Sequence, residues 1–170
     1  MPAPLTETGK LIVGVECYLV NGEKILMFQR SQTSKRYPGL WVGPGGVVDH
    51  NEDMVTTAIR EVFEETGIRI TKGQVKLKVI AIQQMQDRNE TIIIPIFLVK
   101  LKAHKKSNGC SEGSSKWLTR KELKKLEGIL PLSKFYHDHV LNDKPGILFT
   151  NVLWDGFNVV QIFGKQVIKS

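Results

Sequence analysis

One stretch of this chain breaks step with everything around it. From Glu52 or Asp53 to Thr66 the apolar residues Val55, Ala58, Ile59 and Val62 return every third or fourth position, the spacing of one helix face, whereas the flanking runs are short and rich in β-branched residues, as strands are. One firm helix set among strands confines the fold to the α/β classes. Setting Glu61 at zero and advancing about 100° per residue places Glu64 at about −60° and Glu65 at about +40°, beside an apolar stripe centred at about 110°. One face of the helix is core, and the neighbouring face carries three carboxylates.

Those acids lie in the last turns, at the negative end of the helix dipole, and Glu61 with Glu65 is a like-charge i,i+4 pair. Each placement is unfavourable by a few tenths to about 1 kcal/mol. Arg60 reaches Glu64 at i+4, but one guanidinium cannot neutralise three carboxylates. Either the face stays hydrated or a divalent cation offsets the charge, and oxygen ligands without His or Cys select Mg²⁺, with Mn²⁺ as a possible substitute. The formal net charge is +7, yet residues 49–65 hold six acids (Asp49, Glu52, Asp53, Glu61, Glu64 and Glu65) against Arg60 alone. An acidic focus that attracts a cation sits in a basic chain that attracts polyanions such as nucleotides or nucleic acid.

The 170 residues fit one domain, 1–170, with a C-terminal extension of about 131–170. Residues 11–20 read as one strand, Asn21-Gly22 as a hairpin turn and 25–29 as the returning strand. Residues 31–48 form a Gly/Pro-punctuated connection; 74–86 and 91–101 form a long hairpin, and 102–116 a basic loop. Thr119 with Glu122 is a capping box opening a helix, 132–141 a further short helix, and 146–154 and 158–168 two strands joined through Asp155-Gly156. Cys17 and Cys110 fit no zinc pair or disulfide framework, the opening MPAPLTETGK has no signal-peptide profile, and no apolar run is long enough to span a bilayer. A soluble, unprocessed cytoplasmic protein is the expectation.

The helix is framed by glycines. Pro44-Gly45-Gly46 precedes it, where a missing Cβ lets the backbone approach a ligand or metal, and Gly67 follows it at the left-handed stop position, with Ile68 for the accompanying apolar contact. The full string runs Gly46, five residues, Glu52, seven residues, then Arg60-Glu61-Val62-Phe63-Glu64-Glu65-Thr66-Gly67-Ile68. It matches the Nudix box, G-x5-E-x7-R-E-U-x-E-E-x-G-U with U aliphatic, at every specified position, and the upstream stretch from Arg30 to Gly46, with its PGLW and PGG, extends the likeness. The chain therefore resembles the Nudix hydrolase family.

The resemblance implies an α/β/α sandwich with a mixed central sheet and Mg²⁺-dependent hydrolysis of a nucleoside diphosphate linked to another moiety. It implies Glu61, Glu64 and Glu65 as metal-binding and base-supporting acids, Arg60 as the residue that orients them, and the Gly45 carbonyl as a further ligand. Glu61 or Glu64 is the candidate proton acceptor. Family members often add an acid from a later loop, for which Glu112 is the first candidate and Glu90 the second. Arg30 resembles the position that contacts a substrate phosphate beside Gly45 and Gly46, with Lys35 and Arg36 assisting. Asn51 stands where many relatives have Gly and tolerates the left-handed turn. His50 reads as a solvated loop residue, and Trp41 and Trp117 as packing residues rather than stacking platforms.

Substrate markers are absent. ADP-ribose relatives carry a downstream Pro and dinucleoside polyphosphate relatives a Tyr, but the region reads Ile82-Gln83-Gln84-Met85-Gln86, and the first downstream proline is Pro95. The pre-box motif and small size resemble the branch that cleaves ordinary or oxidised nucleoside triphosphates, such as 8-oxo-dGTP, to monophosphate and pyrophosphate. Hydrolysis of a nucleotide sugar, ADP-ribose or dinucleoside polyphosphate is the alternative. A non-catalytic nucleotide or RNA-binding regulator is the alternative of another class, against which the intact Arg60 and glutamates count. A small-molecule nucleotide is the expected partner, with no membrane and nucleic acid disfavoured, and the oligomeric state is open.

Overall fold

The computed structural model describes residues 9–103, 105–155 and 158–168. In chain order the elements are β1 (Lys10–Val13), β2 (Glu16–Asn21), β3 (Lys24–Arg30), β4 (Trp41–Val42), α1 (Met54–Thr66), β5 (Val75–Met85), β6 (Glu90–Lys100), β7 (Gly113–Thr119), α2 (Arg120–Lys125), α3 (His137–Leu141), β8 (Ile147–Trp154) and β9 (Val159–Ile168). The strands form one mixed sheet in the order β4-β3-β2-β6-β5-β8-β9, with β1 also on β6 and β7 also on β3. β2 and β3 pair antiparallel across a tight turn, Asn21↔Lys24 with Gly22 at φ +57°, whereas β7 reaches β3 antiparallel from a distant part of the chain. The parallel pairs β2–β6 and β5–β8 join strands distant in sequence.

Local signals set most boundaries. Asp53 caps α1 by accepting from the Val55 and Thr56 amides at 2.8 Å each, and Gly67 at φ +72° ends it with its amide on the Phe63 carbonyl. Thr119 and Glu122 form the expected capping box on α2. Asn51 takes the left-handed conformation at φ +68°.

The single strand expected over 11–20 is two strands. Both pair parallel with β6 in one unbroken register, Val13↔Ile93 and Glu16↔Ile96, but the chain opens at Gly14-Val15. There the glycine loop enters: Val15 N donates to Gly46 O at 2.8 Å, Cys17 N to Pro44 O at 2.8 Å, and Val48 N to Val13 O at 2.9 Å. Backbone groups that would satisfy a neighbouring strand hold the loop instead. The basic loop over 102–116 is also shorter than expected, because Gly113 already begins β7, which pairs with β3 along its whole length. The expected helix over 132–141 divides into a 3-10 turn, Pro131–Phe135, and α3. Of the Asp155-Gly156 turn, Gly156 lies outside the described residues.

The core has two faces, as strand alternation requires. Along β2, Cys17 and Leu19 pack with Ala58 and Val62 of α1, while Tyr18 and Val20 pack with Tyr136 and Val140 on the other side. Each such side chain stabilises the fold by about 1.5–3 kcal/mol through burial. Helices on both faces make the α/β/α sandwich. Trp41 and Trp117 pack against these two clusters, as read from the sequence. Among the described residues no helix is long and apolar enough to cross a membrane.

Candidate active site

The opening between β1 and β2 brings the glycine loop against the last turns of α1. Gly45 N donates to Glu65 Oε2 at 2.8 Å, and Gly43 N donates to Glu16 Oε1 at 2.8 Å. The glycines are sterically required: a Cβ on Gly45 would stand 2.0 Å from Val15 O, and one on Gly46 would stand 2.3 Å from Glu61 Oε1.

Arg60 organises the acids. Its Nε and Nη2 hold Glu52 at 3.0 and 2.9 Å, its Nη1 holds Glu61 at 2.8 Å and Glu64 at 3.2 Å, and Nη2 lies 3.3 Å from Asp49. Glu52 thus anchors Arg60, aided by a 2.9 Å bond from Thr57 Oγ1. The Arg60 interaction holds the Glu52 carboxyl below its ordinary range.

The three carboxylates expected on one face differ sharply in environment. Glu64 keeps 56% of its side chain exposed, whereas Glu65 is only 3% exposed. Burial pushes the Glu65 carboxyl up to about 8, although the Gly45 N–H pulls the other way. Burial also raises Glu61, and the hydrogen bond and charge of Arg60 oppose it.

A cavity of about 440 Å³ opens on this cluster. Arg30, Gly45, Gly46, Arg60, Glu61, Glu64 and Glu112 all line it, so the structure gathers residues from four separate stretches of chain. Glu65 stands behind the lining, latched to Gly45. Arg30 Nε donates to Arg36 O at 2.8 Å, and Arg36 itself lines the cavity while its Nη2 pairs with Glu90 at 2.6 Å. Glu90 is therefore engaged as a counter-ion and, like Lys35 and exposed His50, is not among the lining residues. Glu112 contributes its backbone carbonyl to Ser31 N at 2.8 Å and its charge to Glu61 and Glu65.

The lining also includes polar residues to which the sequence alone gives no site role, among them Asp49, Glu16 and Tyr37. Asp49 belongs to the acid-rich window, and Glu16 is an acid inside an apolar strand; both were visible signals. Tyr37 carries no local signal, since its placement depends on how the 31–40 connection folds back.

Among the described residues no three Asp, Glu, His or Cys side chains form a ready metal cage. Glu65 is turned to Gly45, and Glu61 and Glu64 share Arg60. The donors available are nonetheless hard oxygens on a floor where buried acids crowd one another, a chemistry that suits Mg²⁺ or Mn²⁺. The residues fit such an ion.

Comparison with known proteins agrees with this arrangement. The NUDIX domain family profile matches residues 10–139. The human m7GpppN-mRNA hydrolase NUDT17 is 36% identical over 63 residues, covering 36% of this chain and 19% of that protein. The Bos taurus diphosphoinositol polyphosphate phosphohydrolase 3-beta is 36% identical over 67 residues, covering 39% of each. The chain thus spans less than half the length of the curated relatives it matches. In three dimensions it resembles a MutT protein from Bacillus halodurans, with a TM-score of 0.70, 23% identity and coverage of 89% of this chain and 95% of the other. A MutT protein from Methanosarcina mazei Go1 gives a TM-score of 0.69 at 20% identity, covering 82% and 99%. With residues 10–139 matched by the family profile and the box residues Gly46, Arg60, Glu61 and Glu64 lining one cavity, the chain belongs to the NUDIX domain family.

Proposed function

We propose that this chain is a Mg²⁺-dependent pyrophosphohydrolase that cleaves phosphoric anhydrides of nucleotides by water attack at phosphorus. Its preferred substrates are nucleoside triphosphates, ordinary or oxidised as in 8-oxo-dGTP, with monophosphate and pyrophosphate as products. The carrying observation is that one cavity joins the cations Arg30 and Arg36, the Arg60-held acids and an apolar wall of Ile12, Val42, Ile92, Ile94 and Leu130. Phosphates and a heterocycle find complementary surfaces there. Residues 1–170 act as one domain with a C-terminal extension from about 131, and free Cys17 and Cys110 suit a reducing cytoplasm.

A pyrophosphate carries charge that repels an attacking water, so hydrolysis needs positioning, charge neutralisation and a proton acceptor. Arg30, in the cavity lining, binds a phosphate oxygen. Glu61, Glu64, Glu65, Glu112 and the Gly45 carbonyl would hold Mg²⁺, which would supply positive charge and lower the pKa of the attacking water. Glu64, exposed and bonded to Arg60 at 3.2 Å, is the proposed proton acceptor, and Glu61 is the alternative. These carboxylates titrate as a coupled set. Arg60 keeps both acids oriented through Glu52.

The names of the relatives favour a second reading at the same site. The m7GpppN-mRNA hydrolase is named for a nucleoside-bearing phosphoric anhydride, which favours another nucleoside diphosphate derivative, such as a nucleotide sugar, ADP-ribose or dinucleoside polyphosphate, as the alternative substrate. The deciding experiment is turnover with Mg²⁺ on nucleoside triphosphates, ADP-ribose, dinucleoside polyphosphates, nucleotide sugars and capped dinucleotides. Hydrolysis in ¹⁸O-labelled water identifies the attacked phosphorus by ³¹P NMR. Label in the monophosphate or pyrophosphate from a triphosphate supports the first reading; turnover of only the other substrates supports the second. No Mg²⁺-dependent turnover on any of them would remove both hydrolase readings and favour a non-catalytic nucleotide or RNA-binding regulator.

A further inference from the structure

Alternation along β2 puts Glu16 on the same face as Tyr18 and Val20, where the pattern calls for an apolar side chain. Its strand partner is Ile96, and the corresponding partner of Ile12 is Ile92. Glu16 is 7% exposed, and what little it exposes lines the cavity. Oε1 accepts from Gly43 N at 2.8 Å, Oε2 accepts from the Tyr136 hydroxyl at 2.8 Å, and Tyr18, close by, has its own hydroxyl 2.8 Å from His137 Nε2. A carboxylate offers about four acceptor directions, so these bonds fix its orientation and leave acceptor capacity towards the cavity.

Ile12, Val42, Ile92, Ile94 and Leu130 give the cavity an apolar lining, and Tyr37 lines it too; such a lining accommodates a heterocycle. Tyr37 sits at φ +48°, a left-handed conformation that is uncommon for an aromatic residue and further disfavoured before proline. Its hydroxyl donates to Gln83 Oε1 at 2.9 Å, which holds the ring in place. Strain of this kind concentrates at ligand-binding positions.

We propose that Glu16 reads the nucleobase, accepting from the adjacent N1–H and N2–H donors of a guanine held in the cavity beside Tyr37. Guanine presents two adjacent donors, N1–H and N2–H, beside its O6 acceptor. Adenine presents the N1 lone pair next to its amino group, so an acceptor meets an acceptor and repels it. Hypoxanthine keeps N1–H and lacks the amino group. The proposal rests on the cavity being a nucleotide site and adds the base class to that reading.

The test is calorimetric binding of GMP, IMP and AMP to the full chain with Mg²⁺, alongside turnover of the corresponding triphosphates. GMP is expected to bind about tenfold or more tightly than AMP, with IMP between them. Glu16→Gln retains a hydrogen-bonding partner for both Gly43 and Tyr136, and is expected to weaken GMP about tenfold while leaving AMP within about twofold. AMP binding as tightly as GMP, binding of neither, or equal weakening of both in Glu16→Gln overturns the assignment. If Glu16→Gln does not fold, the GMP, IMP and AMP order on the native chain decides alone. Guanine preference in binding without turnover of any triphosphate would remove the triphosphate reading and keep Glu16's role. Turnover that ignores the base would do the reverse.

Discussion

Glu65 and Gly45 stand 20 positions apart and are joined by one 2.8 Å hydrogen bond from backbone amide to carboxylate. It latches the glycine loop to the final turn of α1. Replacing Glu65 by Gln keeps an oxygen for that amide but removes the charge. Mg²⁺-dependent hydrolysis is expected to fall by about 10²–10⁴-fold in Glu65→Gln, and in Glu61→Gln, with the folded state retained by circular dichroism. Wild-type activity in both variants would remove the site.

Glu65 also makes the metal-free chain pH-sensitive. Its carboxyl titrates near 4.5 when unfolded and near 8 when folded, because burial opposes the charge. A raised folded value contributes stability that is full below the unfolded value and lost as pH rises through 8. In EDTA the melting temperature should therefore fall from pH 5 to pH 9 more steeply in wild type than in Glu65→Gln. Parallel curves would contradict the burial argument.

Gly45 and Gly46 should respond differently to alanine. At Gly46 the new methyl meets the far end of the Glu61 side chain, which can swing aside, so activity should drop at least about tenfold with little loss of stability. At Gly45 it meets the Val15 backbone carbonyl, and the strand must shift at a cost of about 1–3 kcal/mol. Urea unfolding and kcat together separate the two; the opposite ranking would show the loop to be packed differently.

Away from the site, Lys78 is 1% exposed and its amine reaches Asp143 at 3.0 Å and the Lys144 carbonyl. Lys76 and Lys100 also hold Asp143, at 3.0 and 2.7 Å. Burial works to raise this carboxyl, but the ammonium groups of Lys100, Lys78 and Lys76 prevail and hold it well below the usual carboxylate range. Asp143→Asn strands a buried cation and should destabilise the chain by about 3–5 kcal/mol at pH 7, whereas Lys78→Met should be close to neutral. Acidification below the ordinary carboxylate range should remove the same stabilisation. Equal urea midpoints for wild type and Asp143→Asn would show the pair to be a surface ion pair.

Much of this was legible in the chain alone, because it depends on near neighbours. Asp53 caps amides two and three residues on, Gly67 takes a conformation no following residue needs to impose, Asn21-Gly22 turns one strand onto the next, and Arg60 reaches Glu64 one helical turn away. The helix, its carboxylate face and the family motif follow from such short-range chemistry.

What the sequence determined by itself, then, is the helix, its caps, the hairpins and the order of acids along one face. The tertiary structure alone decided that the first strand opens at Gly14-Val15 to admit the glycine loop, that Glu65 is buried while Glu64 is exposed, and that Glu16 meets Tyr136 across 120 residues. The physical reason is that burial and hydrogen-bond partnership are set by which distant segments the sheet brings together. Periodicity specifies the direction a side chain faces and not what it will find there.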